Sequence, residues 1–506
     1  MRTRIRTSIA LCTLLAAAAP VARGQGPAHS ASTTATPKAA AGSDTTRAAR
    51  IARVESGLVT PVAIAGRPEA RFTIAQRMQH YHVPGVSIAV IHGGQVEWAR
   101  GYGVRELGST IPVDTTTLFQ AGSISKPVAA TAALRLVEQG KLDLDADINT
   151  LLSSWKVPDN EFTRVKPVTL RGILSHSAGL TVHGFPGYDV DAPVPSVVQV
   201  LSGAPPANTA PVRVDVAPGT IWRYSGGGIT VGQLAMTDVT GRAFPDLVRD
   251  LVLTPAGMSH STYENPLPAT YARHAASGHE QLDTPVHGRY HTYPEMAAAG
   301  LWTTPSDLAR WAIELQRAYA GTSTRMLSQA MARQMLTKQF ADWGLGIGLR
   351  GSGDSATFNH GGRDEGFVAQ LTAFVNHGDG VVVMTNGVSG ALLQEISRSV
   401  AEAYGWPLPP RRTMALAKVG VDSPSELAGR YRSAQGGDTL LATVSLEHGA
   451  LRLQLPGEPS EELLPESATA FFTPLGMRAS FTRTVGKPAS ELVLNGGQTL
   501  RLARVE

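Results

Sequence analysis

Two strand pairs stand far apart in this chain of 506 residues, and most of the residues between them have helical or loop-like patterns. Residues 85–91 and 95–99 are largely apolar and β-branched, and the two glycines between them are typical of a tight β-hairpin turn. Residues 367–375 and 381–384 predict a second pair. Strands at both ends of a helical middle predict an α+β domain, in which an antiparallel sheet is flanked by helices and a helical subdomain.

The end of the chain changes character after a proline-rich joint at residues 406–412. Five short strand-like runs separated by Gly and Pro turns predict a small, barrel-like antiparallel β-domain with an accessory role. These runs are residues 439–446, 451–455, 479–484, 491–494 and 499–505. With 42% hydrophobic residues the chain is long enough for two domains, which we place at 57–408 and 424–506 with a linker at 409–423.

The first 24 residues have the composition of a secretory signal peptide. Three arginines precede an apolar stretch at residues 9–19, and Ala22 and Gly24 supply small residues at the cleavage-determining positions. Residues 25–56 are rich in Ala, Ser, Thr, Pro and Gly and predict a disordered spacer. The sequence therefore predicts a periplasmic or secreted protein.

Removal of residues 1–24 would also change the charge and the cysteine content of the protein. That segment carries four arginines, no acidic residue and Cys12, which is the only cysteine. Because the whole chain has 45 basic and 41 acidic residues, the mature chain would be close to neutral and without thiols. This balance predicts no nucleic-acid partner, and no internal apolar run is long enough to predict a transmembrane span.

A Ser-x-x-Lys pair lies in residues 119–140, where a turn leads into a largely apolar helical pattern that ends near Gly140. Ser123 and Lys126 would share one helical face, so that Lys126 can be the base for the serine hydroxyl or the partner of that base. The helix start would also offer free backbone N–H groups to a developing oxyanion. An ordinary exposed serine and lysine is the alternative for an isolated pair of this kind.

Two further motifs follow in chain order. Tyr224 precedes Ser225, a glycine run that includes Gly226 and a helical pattern, and is a candidate general base beside a lysine cation. His360 is followed by Gly361 and Gly362 just before the strand that begins at residue 367. The glycines would let a substrate approach an edge strand closely, and His360 would face the pocket.

Each motif has a competing copy elsewhere in the sequence. Ser153 to Lys156 repeats Ser-x-x-Lys, but it precedes a loop signal and is the poorer candidate. Tyr263 to Asn265 and His92 to Gly94 repeat the other two motifs. We reject them because Tyr263, before Pro266, is expected to be an exposed turn residue, and because His92 precedes the serine.

The fourteen histidines do not suggest a metal centre. His287 and His291 are four residues apart, but Gly288 disfavours the helix that would align them, and no clear third ligand follows. The sequence predicts neither a metal ion nor another cofactor, although a metal-dependent hydrolase is kept as a rival that a chelator would inhibit.

Residues 83–405 resemble the superfamily of serine β-lactamases and penicillin-binding proteins, on the class C side with family VIII esterases, D-aminopeptidases and DD-carboxypeptidases. Segments 174–180 and 297–304 resemble its framework motifs, and the tail resembles its appended β-domain. The resemblance implies an acyl-enzyme on Ser123, Lys126 as its proton-transfer partner and Tyr224 as general base and later acid. It also implies an oxyanion hole formed by the amides of Ser123 and Arg363, with Gly362 beside them.

The chain departs from the family pattern at two positions. Gly226 stands where many members have an asparagine, and His360 stands where β-lactamases have the lysine of Lys-Thr-Gly. Both changes weaken an expectation of β-lactamase activity. The sequence predicts an exported serine hydrolase for a small-molecule ester, a peptide or a β-lactam, and the alternative is a weak or inactive penicillin-binding protein of the cell envelope. The substrate and the oligomeric state stay open.

Overall fold

The computed structural model describes residues 46–280, 283–407, 409–417, 423–433, 440–456, 458–484, 486–496 and 499–505. The expected signal peptide and most of the expected spacer lie outside these residues. The chain divides into two compact units, one formed by residues 73–407 and one formed by the segments before and after them.

The helices and strands follow one another in mixed order along the chain. The helices are α1 (Arg47–Ser56), α2 (Ile74–His80), α3 (Ser125–Glu138), α4 (Ile148–Leu151), α5 (Glu161–Val165), α6 (Leu170–Leu174), α7 (Val197–Ser202), α8 (Gly226–Thr240), α9 (Phe244–Val248), α10 (Thr254–Ala256), α11 (Ala269–Ala272), α12 (Met296–Ala299), α13 (Pro305–Ala320), α14 (Gln329–Met335) and α15 (Gly390–Tyr404). The strands are β1 (Val62–Ile64), β2 (Gly85–His92), β3 (Gln95–Gly103), β4 (Phe119–Gln120), β5 (Trp302–Thr303), β6 (Gly348–Arg350), β7 (Thr357–Asp364), β8 (Phe367–Phe374), β9 (Gly380–Thr385), β10 (Arg412–Met414), β11 (Gly429–Ser433), β12 (Leu441–Glu447), β13 (Ala450–Gln454), β14 (Glu461–Glu462), β15 (Leu464–Pro465), β16 (Ala470–Phe472), β17 (Arg478–Thr482), β18 (Glu491–Asn495) and β19 (Thr499–Arg504).

The larger unit is built on a six-stranded antiparallel sheet with the order β3-β2-β9-β8-β7-β6. Both predicted hairpins are present, and β2 pairs with β9, so the two ends of the unit meet in the middle of the sheet. Helices α13 and α15 pack on the sheet, whereas α3, α8 and α12 pack against one another in a helical subdomain. The predicted α+β fold is confirmed.

Helix α13 shows how the sequence sets these elements. The Thr304 hydroxyl accepts a hydrogen bond from the amide of Asp307 at the start of the helix, and Gly321 ends it at φ 78°. The helix buries Leu308, Trp311 and ten other residues of its sixteen against the rest of the unit. The cap, the apolar spacing and the terminal glycine are all readable from the sequence.

The position of β7 prepares the candidate site. Strand β6 pairs only with residues 357–359, so the edge of residues 360–364 is not covered by that strand. A 3₁₀ turn, Gly122–Ile124, packs against β7 and leads directly into α3. The approach is so close that a Cβ atom on Gly362 would lie 1.8 Å from the carbonyl oxygen of Ala121, which only glycine avoids.

The other unit contains a nine-stranded antiparallel sheet with the order β14-β13-β12-β11-β19-β18-β17-β16-β15. Its end strands, β14 and β15, are one residue apart in the chain, so the sheet curls towards a barrel around a core that includes Tyr431, Phe471 and Leu502. The predicted C-terminal all-β domain is confirmed. The expected linker forms β10 in part.

The start of the described chain differs from its prediction. Residues 47–56, assigned to a disordered spacer, form α1 with Ile51 and Val54 buried, because apolar residues recur at helical spacing within a polar segment. Residues 57–72 were assigned to the main domain. They belong instead to the smaller unit, where β1 pairs in parallel with β10 and Val62 packs with Met414 and Phe472.

The helices in the described part of the chain are too short or too polar for a membrane-crossing segment.

Candidate active site

Ser123 and Lys126 lie together at the start of α3. Ser123 is in the 3₁₀ turn and Lys126 is in the first turn of the helix, which continues from it. The Nζ atom of Lys126 lies 2.8 Å from Ser123 Oγ and 2.8 Å from the carbonyl oxygen of Ala298. The carbonyl accepts one amine hydrogen and thereby orients the amine toward the serine.

The environment of Lys126 disfavours the protonated, positively charged form of its amine. Its side chain is buried, and burial lowers the pKa of the amine to about 7, against a smaller opposing effect of Asp364. Near neutral pH the amine is therefore shared between the protonated form and the neutral form. A neutral amine at hydrogen-bond distance from a hydroxyl can accept its proton.

Tyr224 lies beside the lysine. The Lys126 Nζ atom is 4.9 Å from the centre of the tyrosine ring. The adjoining backbone is held on both sides, because the amide of Arg223 donates to the carbonyl of His176 and the Ser225 hydroxyl caps α8 through the amide of Gly228. The ring is half-buried, so one side can meet a bound molecule.

His360 contributes a neutral imidazole to the site. Burial and the Lys126 cation lower its pKa to about 3, so the ring carries no charge near neutral pH. Its Nδ1 atom lies 2.6 Å from the carbonyl oxygen of Gly361, which can only accept. Nδ1 must therefore carry the proton, and Nε2 presents a lone pair.

The backbone at Arg363 lies against the turn that carries the serine. A Cβ atom on Gly122 would be 2.3 Å from the amide nitrogen of Arg363, and Gly122 has φ 51°. The side chain of Arg363 is exposed on the opposite face of β7 from the buried His360, Gly362 and Asp364. What approaches Gly122, the residue before Ser123, is thus the peptide backbone of Arg363.

Gly226 is packed rather than open. Its amide donates to the carbonyl of His183, and a Cβ atom there would lie 3.1 Å from that oxygen and 3.1 Å from the Phe185 ring. An asparagine would press on the loop of residues 183–185. The loop fills the space beside the first turn of α8 that a larger residue would need.

A model of the family described as Beta-lactamase matches residues 71–404. The chain belongs to the beta-lactamase family. Penicillin-binding protein 4 of Amycolatopsis lactamdurans is 28% identical over 332 residues, covering 62% of this chain and 83% of that protein. Penicillin-binding protein 4* of Bacillus subtilis is 22% identical over 437 residues, covering 81% and 92%.

The solved structure of the octameric penicillin-binding protein homologue from Pyrococcus abyssi shares the fold, with a TM-score of 0.59, 20% identity and coverage of 85% of this chain and 98% of that one. The family match places this chain among serine hydrolases that act on amide or ester bonds.

Several residues of this beta-lactamase-family site were not singled out from the sequence. His176 was noted only as part of a framework segment, yet its ring lies 4.3 Å from that of Tyr224. Its Nδ1 atom accepts from the amide of Ser225, 3.2 Å away. The His183 ring also lies close, with its centre 4.9 Å from that of the tyrosine ring. Burial and the Lys126 cation lower the pKa of both imidazoles.

Two buried carboxyl groups were also missed. Burial raises the pKa of Glu295 to about 7 and that of Asp364 well above its usual range, in spite of the nearby Lys126. Neither carboxyl group makes a well-aligned hydrogen bond among the described residues, although the backbone of Gly122 lies near enough to Asp364 to oppose the rise of its pKa. Strand alternation from His360 would have placed Asp364 on the same face of β7, whereas nothing in the local sequence singles out Glu295.

The competing motif copies occupy structural positions. Tyr263 is fully buried rather than exposed, and its hydroxyl donates to the carbonyl oxygen of Ser125 over 2.6 Å. The expectation of an exposed turn residue was wrong because the ring packs against Phe244. Lys156 is exposed and bonds to Asn149, and His92 pairs with Asp379 in the β2–β3 hairpin region.

His287 and His291 do not face a common ion. His291 bonds to the carbonyl of Pro186, whereas His287 pairs with Asp189 over 2.8 Å. The ligand atoms of Asp189, Asp191 and His287 lie within 4.8 Å of one another. The two carboxylates belong to a segment far from His287 in the sequence, so the spacing of the histidines did not indicate them. These side chains are largely exposed, and their hydrogen bonding and ion pairing account for the arrangement.

Proposed function

We propose that the protein is an exported serine hydrolase that forms an acyl-enzyme on Ser123 and hydrolyses an ester or an amide. The observation that carries this proposal is the 2.8 Å contact between Lys126 Nζ and Ser123 Oγ, made by an amine whose pKa is about 7. A base is most effective when its pKa is close to the working pH.

In the acylation step, neutral Lys126 takes the proton of Ser123 while Oγ attacks the substrate carbonyl carbon. The amides of Ser123 and Arg363 stabilise the negative charge that develops on the carbonyl oxygen, since both belong to segments that meet at this point. Tyr224 carries a proton to the departing alcohol or amine. Its position beside Lys126 supports this role.

In the deacylation step, water attacks the ester on Ser123 and the same groups work in reverse. Water gives a proton to the Tyr224–Lys126 pair, and Ser123 recovers a proton as the acid product leaves. Gly362 allows β7 to approach the turn, so the oxyanion amides stay in place through both steps.

The neutral state of His360 affects which substrates the site can bind. A β-lactam carries a carboxylate that the family lysine would hold, and an imidazole whose pKa is about 3 cannot supply that charge. Gly226 leaves no side-chain amide for the substrate either. These features favour neutral small-molecule esters or peptides over β-lactams.

Intact-mass analysis tests the proposal. The mature protein is incubated with a fluorophosphonate and, separately, with a penicillin, beside the Ser123→Ala variant. We expect a fluorophosphonate adduct that the variant lacks, while circular dichroism shows both proteins folded. A persistent penicillin adduct would favour a penicillin-binding protein over an efficient β-lactamase. Absence of an adduct with either reagent in the unaltered protein would favour the alternative of a non-catalytic cell-envelope-binding protein.

Export is part of the same proposal, because residues 1–24 have the composition of a signal peptide. The mature N-terminus is read by mass spectrometry after expression in a Gram-negative host, in the periplasmic and external fractions. An intact N-terminus in the cytosolic fraction alone would contradict export.

A further inference from the structure

Two tryptophans form an aromatic wall beside Tyr224. The Trp222 and Trp343 rings lie 5.5 Å apart, and both lie within 6.5 Å of the Tyr224 ring. Trp343 is also 5.4 Å from the His360 ring. Trp222 is 38% exposed, which is unusual for so large an apolar side chain and leaves ring surface available to a bound molecule.

The wall is held by fixed backbone. Trp343 lies in a tight turn, in which its carbonyl accepts from the amide of Gln339 and its amide donates to Phe340. Trp222 is next to Arg223, whose side chain donates to the carbonyl oxygens of Gly179 and Leu180. Rings on rigid supports lose little freedom when a ligand stacks on them.

Two buried polar atoms of the wall and of His360 have no hydrogen-bond partner in the described residues. Within the part of the chain that the structure describes, Trp343 Nε1 and His360 Nε2 are buried and make no hydrogen bond. Trp343 offers a donor and His360 offers a lone pair, as its Nδ1 proton is already committed. Buried polar atoms are usually paired, so these two atoms indicate a place for the oxygen or nitrogen atom of the leaving group next to its ring.

The geometry also fixes which part of a substrate meets the wall. Arg363, whose amide lies against Gly122 in the turn that carries Ser123, is three residues beyond His360, about 10 Å along an extended strand. The carbonyl oxygen of a substrate would be held at the Arg363 end. Tyr224 and the tryptophans lie at the His360 end, where the departing alcohol or amine takes its proton.

We propose that Trp222 and Trp343 form a subsite for a neutral aromatic ring on the leaving group of the substrate. This inference rests on the proposed function, because the leaving group is defined by acylation of Ser123. A carboxylate on that ring would find no permanent cation in the wall, since burial keeps His360 neutral.

Three acetate esters with alcohols of similar acidity test the subsite: benzyl acetate, cyclohexylmethyl acetate and 4-(acetoxymethyl)benzoate. We expect kcat/KM for the benzyl ester to exceed that for the cyclohexylmethyl ester roughly three- to tenfold, the range that ring stacking supplies. The carboxylate ester should be hydrolysed more slowly than the benzyl ester. Equal values for the first two esters would overturn the proposal.

Measurements on variants test whether the two tryptophans cause the preference for the benzyl ester. Trp222→Ala and Trp343→Ala should bring the benzyl to cyclohexylmethyl ratio close to one, whereas Trp343→Phe, which keeps a ring, should retain most of it. Ile221→Ala is the matched control, because Ile221 is the neighbouring exposed apolar residue and has no ring. An unchanged ratio in Trp222→Ala, the more exposed and structurally safer variant, would exclude a subsite on these rings.

Failure of the subsite and failure of the proposed function are distinguishable. Diisopropyl fluorophosphate expels fluoride, which cannot occupy an aromatic subsite, so its labelling of Ser123 should survive in the tryptophan variants. If the unaltered protein is not labelled, the proposal that Ser123 is a nucleophile is wrong. The subsite is then judged by binding alone, with Ser123→Ala: benzyl acetate must bind more tightly than cyclohexylmethyl acetate, and Trp222→Ala must remove the difference.

Discussion

The amine of Lys126 lies 2.8 Å from the hydroxyl oxygen of Ser123, and the same amine is only 4.9 Å from the centre of the Tyr224 ring. One titrating group therefore touches the proposed nucleophile and adjoins the tyrosine that we propose as the proton donor to the leaving group. Because burial lowers the pKa of this amine to about 7, the reaction should respond to pH where lysines ordinarily stay fully charged.

Acylation of Ser123 should speed up as the pH rises through about 7, since the neutral fraction of Lys126 increases there. The rate of fluorophosphonate labelling between pH 5 and pH 9 measures this. Glu295 has a pKa of about 7 as well, so Glu295→Gln is the control and should keep the profile. Lys126→Ala should label at least about 10²-fold more slowly. A profile that vanishes with Glu295→Gln would transfer the titration to that carboxyl group.

The buried Lys126 should also lower the stability of the folded protein. Its folded pKa of about 7 lies below the usual value of 10.5, so the unfolded chain binds more protons between these pH values and the stability of the protein rises with pH there. Lys126→Met should raise the free energy of unfolding by about 0.5–2 kcal/mol near pH 7, and the gain should vanish above pH 10.5. Urea unfolding at pH 7 and at about pH 11, above the usual lysine pKa, measures both values. A destabilised methionine variant would show that the amine contributes more by its hydrogen bonds than burial costs.

The two tyrosines of the competing motifs should separate activity from stability. Tyr224→Phe removes the hydroxyl that protonates the departing alcohol or amine, so ester hydrolysis should be lost while the melting temperature stays close to that of the unaltered protein. Tyr263→Phe breaks the buried bond to the Ser125 carbonyl and should cost about 1–3 kcal/mol with hydrolysis retained. Thermal unfolding and ester hydrolysis by both variants measure these effects, and a Tyr224→Phe variant that hydrolyses esters normally would remove Tyr224 from the mechanism.

The features that could be predicted are those formed by residues close together in the sequence. Ser123 and Lys126 are three residues apart on one turn, and the hairpins and the α13 cap are equally local, so their arrangement follows from spacing. Trp343 and Glu295 reach the site from segments more than 170 residues beyond Ser123, and only the folded chain shows that they are near it. Tyr263 was misjudged for the same reason, because its burial is set by Phe244 and α3 rather than by its neighbours in sequence.

Two adjacent glycines in β7 offer a final prediction about how the site is held together. A methyl group on Gly362 would lie 1.8 Å from the carbonyl oxygen of Ala121, so Gly362→Ala must push β7 away from the turn that carries Ser123. We expect a loss of about 1–3 kcal/mol in stability and of nearly all labelling, because the Arg363 amide moves with the strand.

Gly361→Ala is the matched control for that prediction, since its Cβ would have a single neighbour at 3.9 Å, an ordinary contact, on the exposed face of the same strand. Its stability and its labelling rate should stay close to those of the unaltered protein. Urea unfolding and fluorophosphonate labelling of the two variants measure both effects. Equal behaviour of the two alanines would mean that the close approach of β7 to Ala121 is not what positions the oxyanion amides.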